Sequence, residues 1–446
     1  MKRDKLIVIF FVSFLFFLFN NQAFAQNILS LQECIDYALE NSLDVKQKIF
    51  DKESKYIQLK ATKTSIAPSL NGTVGQNFDF GRSRLPDNTD VSTTQSTTNF
   101  NVGLNMNLFQ GLRTFHQIKS DKLNLEIALL DIESAKENIE LMVTTNYLQV
   151  LLHKEILEVY KNQVIMDNEQ LEQTSILITN GKKSDAELYA AQSSLANTQL
   201  SVVEATNTLR LSLLDLAQLI NYSEVANFDI VSDNNLSIDE LLNRNINVNH
   251  VIENAFLNRP IIKASVVRIE QAKRNIKMAQ SGWYPSLIFS ANFGTGYYFR
   301  FKDIANIPNE SFGFQFKNNA KETLGATLAI PFFDKLSTHF NVKQQRINVK
   351  LQELQFEESK RKLVKDIEQA YANAVASKEK YLSTQIANKA AQKAFQYEEI
   401  KYKEGASTYY EFNDLKNKYL KTQSDLIQAK FDFLFRMKIL EFYGKY

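Results

Sequence analysis

The sequence predicts a mainly α-helical chain made of two copies of one unit, each copy adding two strands of transmembrane β. Three observations lead there. The 13 glycines and 6 prolines leave two long stretches empty, 112–180 and 334–404, of 69 and 71 residues. Both are rich in Leu, Ile, Ala, Lys, Glu and Gln, with apolar residues at mixed spacings of 3 and 4, as in Leu123, Ile127 and Leu130. They read as very long helices. Second, the chain repeats. Tyr37-Ala38-Leu39-Glu40-Asn41 maps onto Asn254-Ala255-Phe256-Leu257-Asn258 at an offset of 217, as does Pro68-Ser69-Leu70 onto Pro285-Ser286-Leu287. "LNMNLFQGLRT" from Leu104 maps onto "LAIPFFDKLST" from Leu328 at 224, an offset that also carries Tyr147 onto Tyr371 and Gly181 onto Gly405. Third, four segments alternate with period two, most plainly "NFNVGLNMNLF".

Taken in order, Lys2, Arg3 and Lys5 precede an apolar run at 6–19 and then Ala23-Phe24-Ala25. This is the pattern of a secretory signal peptide over 1–25. The run is too short for a membrane-spanning helix, which needs about 18 to 20 apolar residues. The three cations against Asp4 carry the whole formal charge of +2, so the mature chain is neutral. That balance gives no electrostatic footprint for nucleic acid. The lone Cys34 forms no internal disulfide and reads as a packed thiol, so the exported chain is held by packing.

Two repeats follow, 26–220 and 251–446, each reading helix, strand, strand, long helix, glycine tip, helix. The strands are expected near 69–80 and 99–109, then 286–300 and 323–333. The connections 81–98 and 301–322 read as polar loops outside the cell. Each long helix spans roughly 100 Å at 1.5 Å per residue. It stops at Gly181 or Gly405 and restarts after Ser184 or Ser407-Thr408. A C′ glycine followed by a hydroxyl N-cap is the signature of a helical hairpin tip. Residues 221–250 break the pattern and are expected to form a small equatorial collar.

The strands carry one apolar face and one of Asn, Ser, Thr and Gly rather than charge, which suits lipid on one side and a wet lumen on the other. Their length suffices to cross a bilayer when tilted. Phe100, Val102, Leu104, Met106 and Leu108 would then face outer-membrane lipid, with the asparagines lining the pore. Four strands leave open edges, which lipid does not tolerate. Two chains would give eight strands and a filled interior. Three give twelve and room for water. A homotrimeric 12-stranded β-barrel, continued by a periplasmic α-helical barrel, is the economical solution.

Catalysis is excluded on inventory. His116, His153, His250 and His339 are scattered, no metal-ligand spacing or nucleophile elbow occurs, and no cofactor is implied. "NGKKS" imitates the end of a phosphate-binding loop, but the earlier glycine that such a loop needs is Ile176. The rival reading is a structural or adaptor-like periplasmic coiled-coil protein. Adaptors place compact β-rich domains around one hairpin, whereas this chain has two hairpins and paired amphipathic strands.

The duplicated layout, with "SLQECIDYALENS", "APSL" and "YPSL", "LFQG" and "PFFD", and the tips "NGKKSDAEL" and "EGASTYYEFND", resembles the TolC-like outer-membrane efflux family. The resemblance implies a trimeric export duct, passive and without enzymatic activity, in a tripartite efflux or type I secretion system. Its partners would be a periplasmic adaptor and an inner-membrane pump. It carries gate roles onto Glu411 and Asp414, six and nine residues after the tip glycine, and onto Tyr402 and its acidic partner Glu187. The i, i+3 spacing of Glu411 and Asp414 puts both on one helix face, so a trimer would present six carboxylates to cations. The arginine expected two positions after the second glycine is Ser407, which leaves a hydrogen-bonded latch among Tyr402, Glu187 and Ser407. The tips Gly181, Lys182, Lys183, Ser184 and Gly405, Ala406, Ser407, Thr408 are implied as the adaptor-docking surface.

Overall fold

The computed structural model describes residues 27–84, 88, 90–231, 238–301 and 308–444. The signal peptide expected at 1–25 lies outside them, as do parts of both loops and of the collar segment. The described chain runs β1 (Asn27–Leu29), α1 (Leu31–Asn41), α2 (Leu43–Thr64), β2 (Ser69–Arg84), β3 (Asp90–Gln110), α3 (Arg113–Thr179) and α4 (Asp185–Leu219). It continues through β4 (Phe228–Ile230), α5 (Ile238–Asn243), α6 (Val248–Asn258), α7 (Pro260–Gln280), β5 (Ser286–Arg300), α8 (Phe312–Asn318), β6 (Lys321–Ala329), α9 (Ser337–Lys403) and α10 (Tyr409–Gly444).

The repeat is visible in the elements. α6 begins and ends 217 residues after α1, while α9 begins and ends 224 after α3, both helices being 67 residues long. Even the turns into the long helices correspond. Gly111 and Leu112 have φ of 58° and 65°, and Lys335 and Leu336, 224 residues later, have 57° and 62°. Gly111 is required there, because a Cβ would lie 2.5 Å from the Ser281 carbonyl oxygen.

Contacts group the chain into two compact units that cut across the repeats. One comprises Ile49–Asp131 and Ile261–Ser359; the other comprises the residues up to Lys48, Ile132–Pro260 and Lys360–Tyr446. The first holds an antiparallel sheet in the order β2-β3-β5-β6. Its register puts Leu70, Leu104, Ala291 and Leu324 on one row, and Ser69, Asn105, Ser290 and Gly325 on the next. Successive rows alternate between the faces, as the sequence pattern requires. Leu108 occupies a bulge, after which Phe109 opposes Leu287.

The strands depart from expectation in extent. β2 and β3 run well into the expected first loop, where β-branched Val91, Thr93, Thr94, Thr97 and Thr98 favour a strand without any hydrophobic alternation. β6 stops at Ala329 rather than 333, ahead of Pro331, which has no N–H to donate. The second loop is not simply polar. It contains α8, with Phe312, Phe314 and Phe316.

The other unit packs α1, α3, α4 and α10 around Cys34, Ile139, Val143, Leu148, Leu216, Ile220 and Leu434. Cys34 is fully buried, and burial pushes its thiol up to about 12, so it is an inert packing group. The segment between the repeats joins this core. β4 pairs in parallel with β1, Phe228 and Ile230 are buried, and the Tyr147 hydroxyl and Lys154 ammonium donate to the carbonyls of Val231 and Ile230 at 2.7 Å.

Candidate functional site: the two glycine tips

Both hairpins end in the same backbone motif. Gly181 and Gly405 are left-handed, with φ of 68° and 76°. Gly181 N–H donates to Ile178 and Lys182 N–H to Leu177; in the second tip Gly405 donates to Tyr402 and Ala406 to Lys401. These paired 5→2 and 6→1 bonds form a Schellman C-cap, which needs a residue without a Cβ penalty at C′.

The restarts differ. Ser184 takes the N-cap position of α4, but its side chain makes no capping bond. Thr408 and Glu411 form a reciprocal capping box: Glu411 N–H donates to the Thr408 hydroxyl at 3.3 Å, and Thr408 N–H to Glu411 Oε2 at 3.1 Å. The Ser407 and Thr408 hydroxyls both donate to the same carboxylate oxygen at 3.0 Å. Donation from the Thr408 N–H, then from the two hydroxyls, holds the Glu411 carboxyl below the ordinary glutamate value. Its contribution to the cap is therefore present above that ordinary value and is lost as pH falls through the depressed one. In a carbon-13 carboxyl titration Glu411 is expected to titrate below a typical glutamate, and Thr408→Ala to move it back upward. An unchanged titration in Thr408→Ala would contradict the assignment. Asp414 lies exposed one turn further along α10 and lines one shallow hollow with Glu398, Lys401, Ser407 and Glu411.

Tyr402 and Glu187 meet across the two hairpins, with the Tyr402 hydroxyl donating to Glu187 Oε2 at 3.1 Å. Tyr402 is 1% exposed, and burial pushes its phenol up to about 12, so it remains a donor at physiological pH. It lies in an aromatic cluster with Phe395, Tyr409 and Phe412, stacked on Phe412 at 4.9 Å between centroids.

Ser407 does not enter this contact through its hydroxyl, which lies within hydrogen-bond reach of the Glu398 and Glu411 carboxylates instead. The missing member is Lys183. Its ammonium is 3.4 Å from Glu187 Oε2, donates to the Ser407 carbonyl oxygen at 3.3 Å and lies 4.6 Å from the Tyr402 ring centroid. Lys183 stands two positions after the first glycine, as Ser407 stands two after the second. At this matching position the first repeat carries a cation and the second a serine.

A second cross-hairpin contact lies deeper. Lys416 of α10 donates to Asp167 of α3 at 2.8 Å and to Ser194 of α4 at 3.0 Å, while Thr198 and Gln163 donate to Asp167 at 2.6 and 2.7 Å. The ion-pair side chains are 3% and 2% exposed. Sequence reading missed this network, although Gln163, Asp167, Gln170 and Thr174 fall at the 4, 3, 4 spacing of a packed helix seam and are all buried. Among the described residues no three His, Cys, Asp or Glu side chains gather as a metal site, and no helix is long and apolar enough to cross a membrane.

The family model for the outer membrane efflux protein matches residues 34–222 and 251–434. The chain is 21% identical over 414 residues to toxin and drug export protein A of Aggregatibacter actinomycetemcomitans, covering 90% of this chain and 83% of that one. It is 21% identical over 417 residues to the outer membrane protein TolC of Vibrio cholerae, covering 91% and 88%. Among solved structures, the Campylobacter jejuni CmeC outer membrane channel superposes with a TM-score of 0.77 at 15% identity, covering 93% of this chain and 85% of that one. The chain, with its duplicated helical hairpins and four-stranded sheet, belongs to the outer membrane efflux protein family, whose members are outer-membrane channels rather than enzymes.

Proposed function

We propose that three copies of this chain close a 12-stranded barrel in the outer membrane, continued by a helical barrel in the periplasm, and that the assembly is a passive export duct gated at the glycine tips. The observation that carries this reading is the sheet. Through its central rows it has one apolar face and one of Asn, Ser, Thr and Gly, with Glu322 entering the apolar face only near the start of β6, and among the described residues its β2 and β6 edges have no partner in the sheet order. Such edges cannot be left open in lipid, and a second copy supplies the complementary edge. On β5 the apolar face runs from Leu287 to Phe293, about 20 Å along the strand, and Val74 and Phe100 extend it by one row on β2 and β3.

Phe100, Val102, Leu104 and Met106 face lipid in this reading, with Leu108 beside them in the bulge. The repeats 26–220 and 251–446 each supply two strands and one hairpin, and 221–250 forms the collar. At the tips, Tyr402, Glu187, Lys183 and the Ser407 carbonyl latch one hairpin to the other. The exposed carboxylates of Glu411 and Asp414, repeated threefold, give the entrance its preference for cations. Gly181–Ser184 and Gly405–Thr408 are the surface for a periplasmic adaptor, which in turn joins an inner-membrane pump. Both tips are exposed turns at the ends of long helices, and an adaptor that separates the hairpins would open the latch. Toxin and drug export, named for one relative, is the corresponding cargo class.

The native mass of the detergent-solubilised protein tests the assembly. A trimer is the expected species, and a stable monomer or dimer recovered from the outer membrane would overturn it.

A further inference from the structure

β6 pairs with β5 only as far as Lys321 opposite Gly294, although β5 continues to Arg300. Three side-chain amides occupy the place of the missing strand. Asn319 donates to the Gly296 carbonyl at 2.7 Å. Gln315 accepts from Tyr298 N–H at 3.0 Å and donates to its carbonyl at 2.9 Å. Asn309 does the same to Arg300, at 2.9 and 2.8 Å. Gly296, Tyr298 and Arg300 are every second residue, the period at which a strand presents its groups to one edge.

The turn that carries Gln315 is α8, which packs on one particular face of the sheet. Phe316 lies 5.6 Å from Phe100 between ring centroids, Phe312 lies 5.4 Å from Tyr297, and the Phe316 carbonyl accepts from the Thr295 hydroxyl at 2.6 Å. Phe100 and Thr295 are opposed in the register and share their face with Val102, Leu104 and Met106. One row above, polar side chains enter that face, where Gln76 is hydrogen-bonded to Ser96 and Thr98, and they alternate there with the aromatic rings of Tyr297, Phe78 and Phe299. α8 therefore rests where the purely apolar rows give way to mixed polar and aromatic ones. Gln315 is buried, whereas Phe314, half a turn away from Phe312 and Phe316, is 53% exposed and Lys317 beside it is exposed.

We infer that α8 is an interfacial anchor: it seals the upper wall where β6 stops, and it sets Phe314 into the acyl chains just below the headgroups of the outer leaflet, with Lys317 against their phosphates. The partner is lipid, on two grounds. The helix continues the apolar face of the strands, and aromatic rings beside a cation and polar groups at the rim of an apolar band are the arrangement that favours a membrane interface. The inference rests on the membrane-barrel reading above.

Fluorescence quenching tests it in the full-length protein reconstituted in phosphatidylcholine vesicles with brominated acyl chains. With the native tryptophan removed as Trp283→Phe, a single indole is placed by Phe314→Trp or, as a control on the wall, by Val102→Trp. The expected result is that Phe314→Trp is quenched most by bromines near the carbonyl end of the chain and little by aqueous iodide. Val102→Trp is expected to be quenched most by deeper bromines. Quenching of Phe314→Trp by iodide alone would place α8 in water, and its protection from both quenchers would place a neighbouring chain over it. Either result with Val102→Trp still quenched overturns the anchor and leaves the barrel intact, whereas an unquenched Val102→Trp overturns the barrel reading itself.

Discussion

Leu104→Arg is expected to abolish assembly in the outer membrane, while Asn105→Arg on the adjacent position is tolerated. Leu104 sits in the middle of the apolar rows, opposed by Leu70 and Ala291, and an arginine there would stand in hydrocarbon. A cation at the midplane of a barrel's lipid face costs about 2–4 kcal/mol. With three copies closing one barrel, each chain pays it. Asn105 belongs to the other face, opposed by Ser69 and Ser290, where a longer polar side chain extends into water. Outer-membrane fractionation with heat-modifiable migration reads the difference. Equal loss in both variants, or loss only in Asn105→Arg, would mean that the faces are assigned the wrong way round or that the sheet is not a membrane wall.

Lys416→Met is expected to be the most damaging single change in the helical hairpins. It strands the Asp167 carboxylate inside the protein with only the Thr198 and Gln163 donors remaining. Removing one partner of a buried pair costs about 3–5 kcal/mol, because the other charge is left without compensation. Lys416→Met with Asp167→Leu removes both charges and should recover much of that loss, since a packed apolar pair is often as stable as the ions it replaces. The midpoint of urea unfolding followed by helical circular dichroism separates these cases, with Lys418→Met on the exposed face of the same helix as the reference. A Lys416→Met midpoint equal to that of Lys418→Met would contradict the buried network.

Most of the helical architecture was legible because it rests on strong, local signals. The empty stretch 112–180 brackets α3 within one residue at each end, and 334–404 brackets α9 within three residues at its start and one at its end, since glycine and proline are what end helices. The offsets of 217 and 224, read from a few short matches, reappear as the spacing of element boundaries. Strand extent was less legible. In Thr93-Thr94-Gln95-Ser96-Thr97-Thr98 both faces are polar, so period two leaves no trace in hydrophobicity although β3 runs through it. α8 was hidden because a seven-residue helix of alternating Phe and small or polar residues shows no helical stripe of its own.

At the tips, the glycines and the hydroxyl N-caps could be read from residue type and spacing, whereas Tyr402, Glu187, Glu411 and Asp414 came from the family resemblance. Lys183 was placed only as a tip residue, because its partners Glu187, Tyr402 and Ser407 include two that are over 200 positions away. The internal repeat held the clue that the cation lacking at 407 stands at 183. The polar seam Gln163, Asp167, Gln170 and Thr174 was readable as core spacing, but four polar residues at core positions look like a solvated face until their partners on α4 and α10 are known.

The most direct test of a duct latched at its tips is the single-channel conductance of the purified trimer in a planar bilayer, native against Tyr402→Phe/Lys183→Ala. The native protein should give small, cation-selective steps, and the variant should give steps several-fold larger with the same selectivity, because the barrel is unchanged and only the cross-hairpin contacts of Glu187 and Ser407 are lost. Steps of equal size in the two proteins, or inserted trimers that pass no current in either form, would contradict the latch.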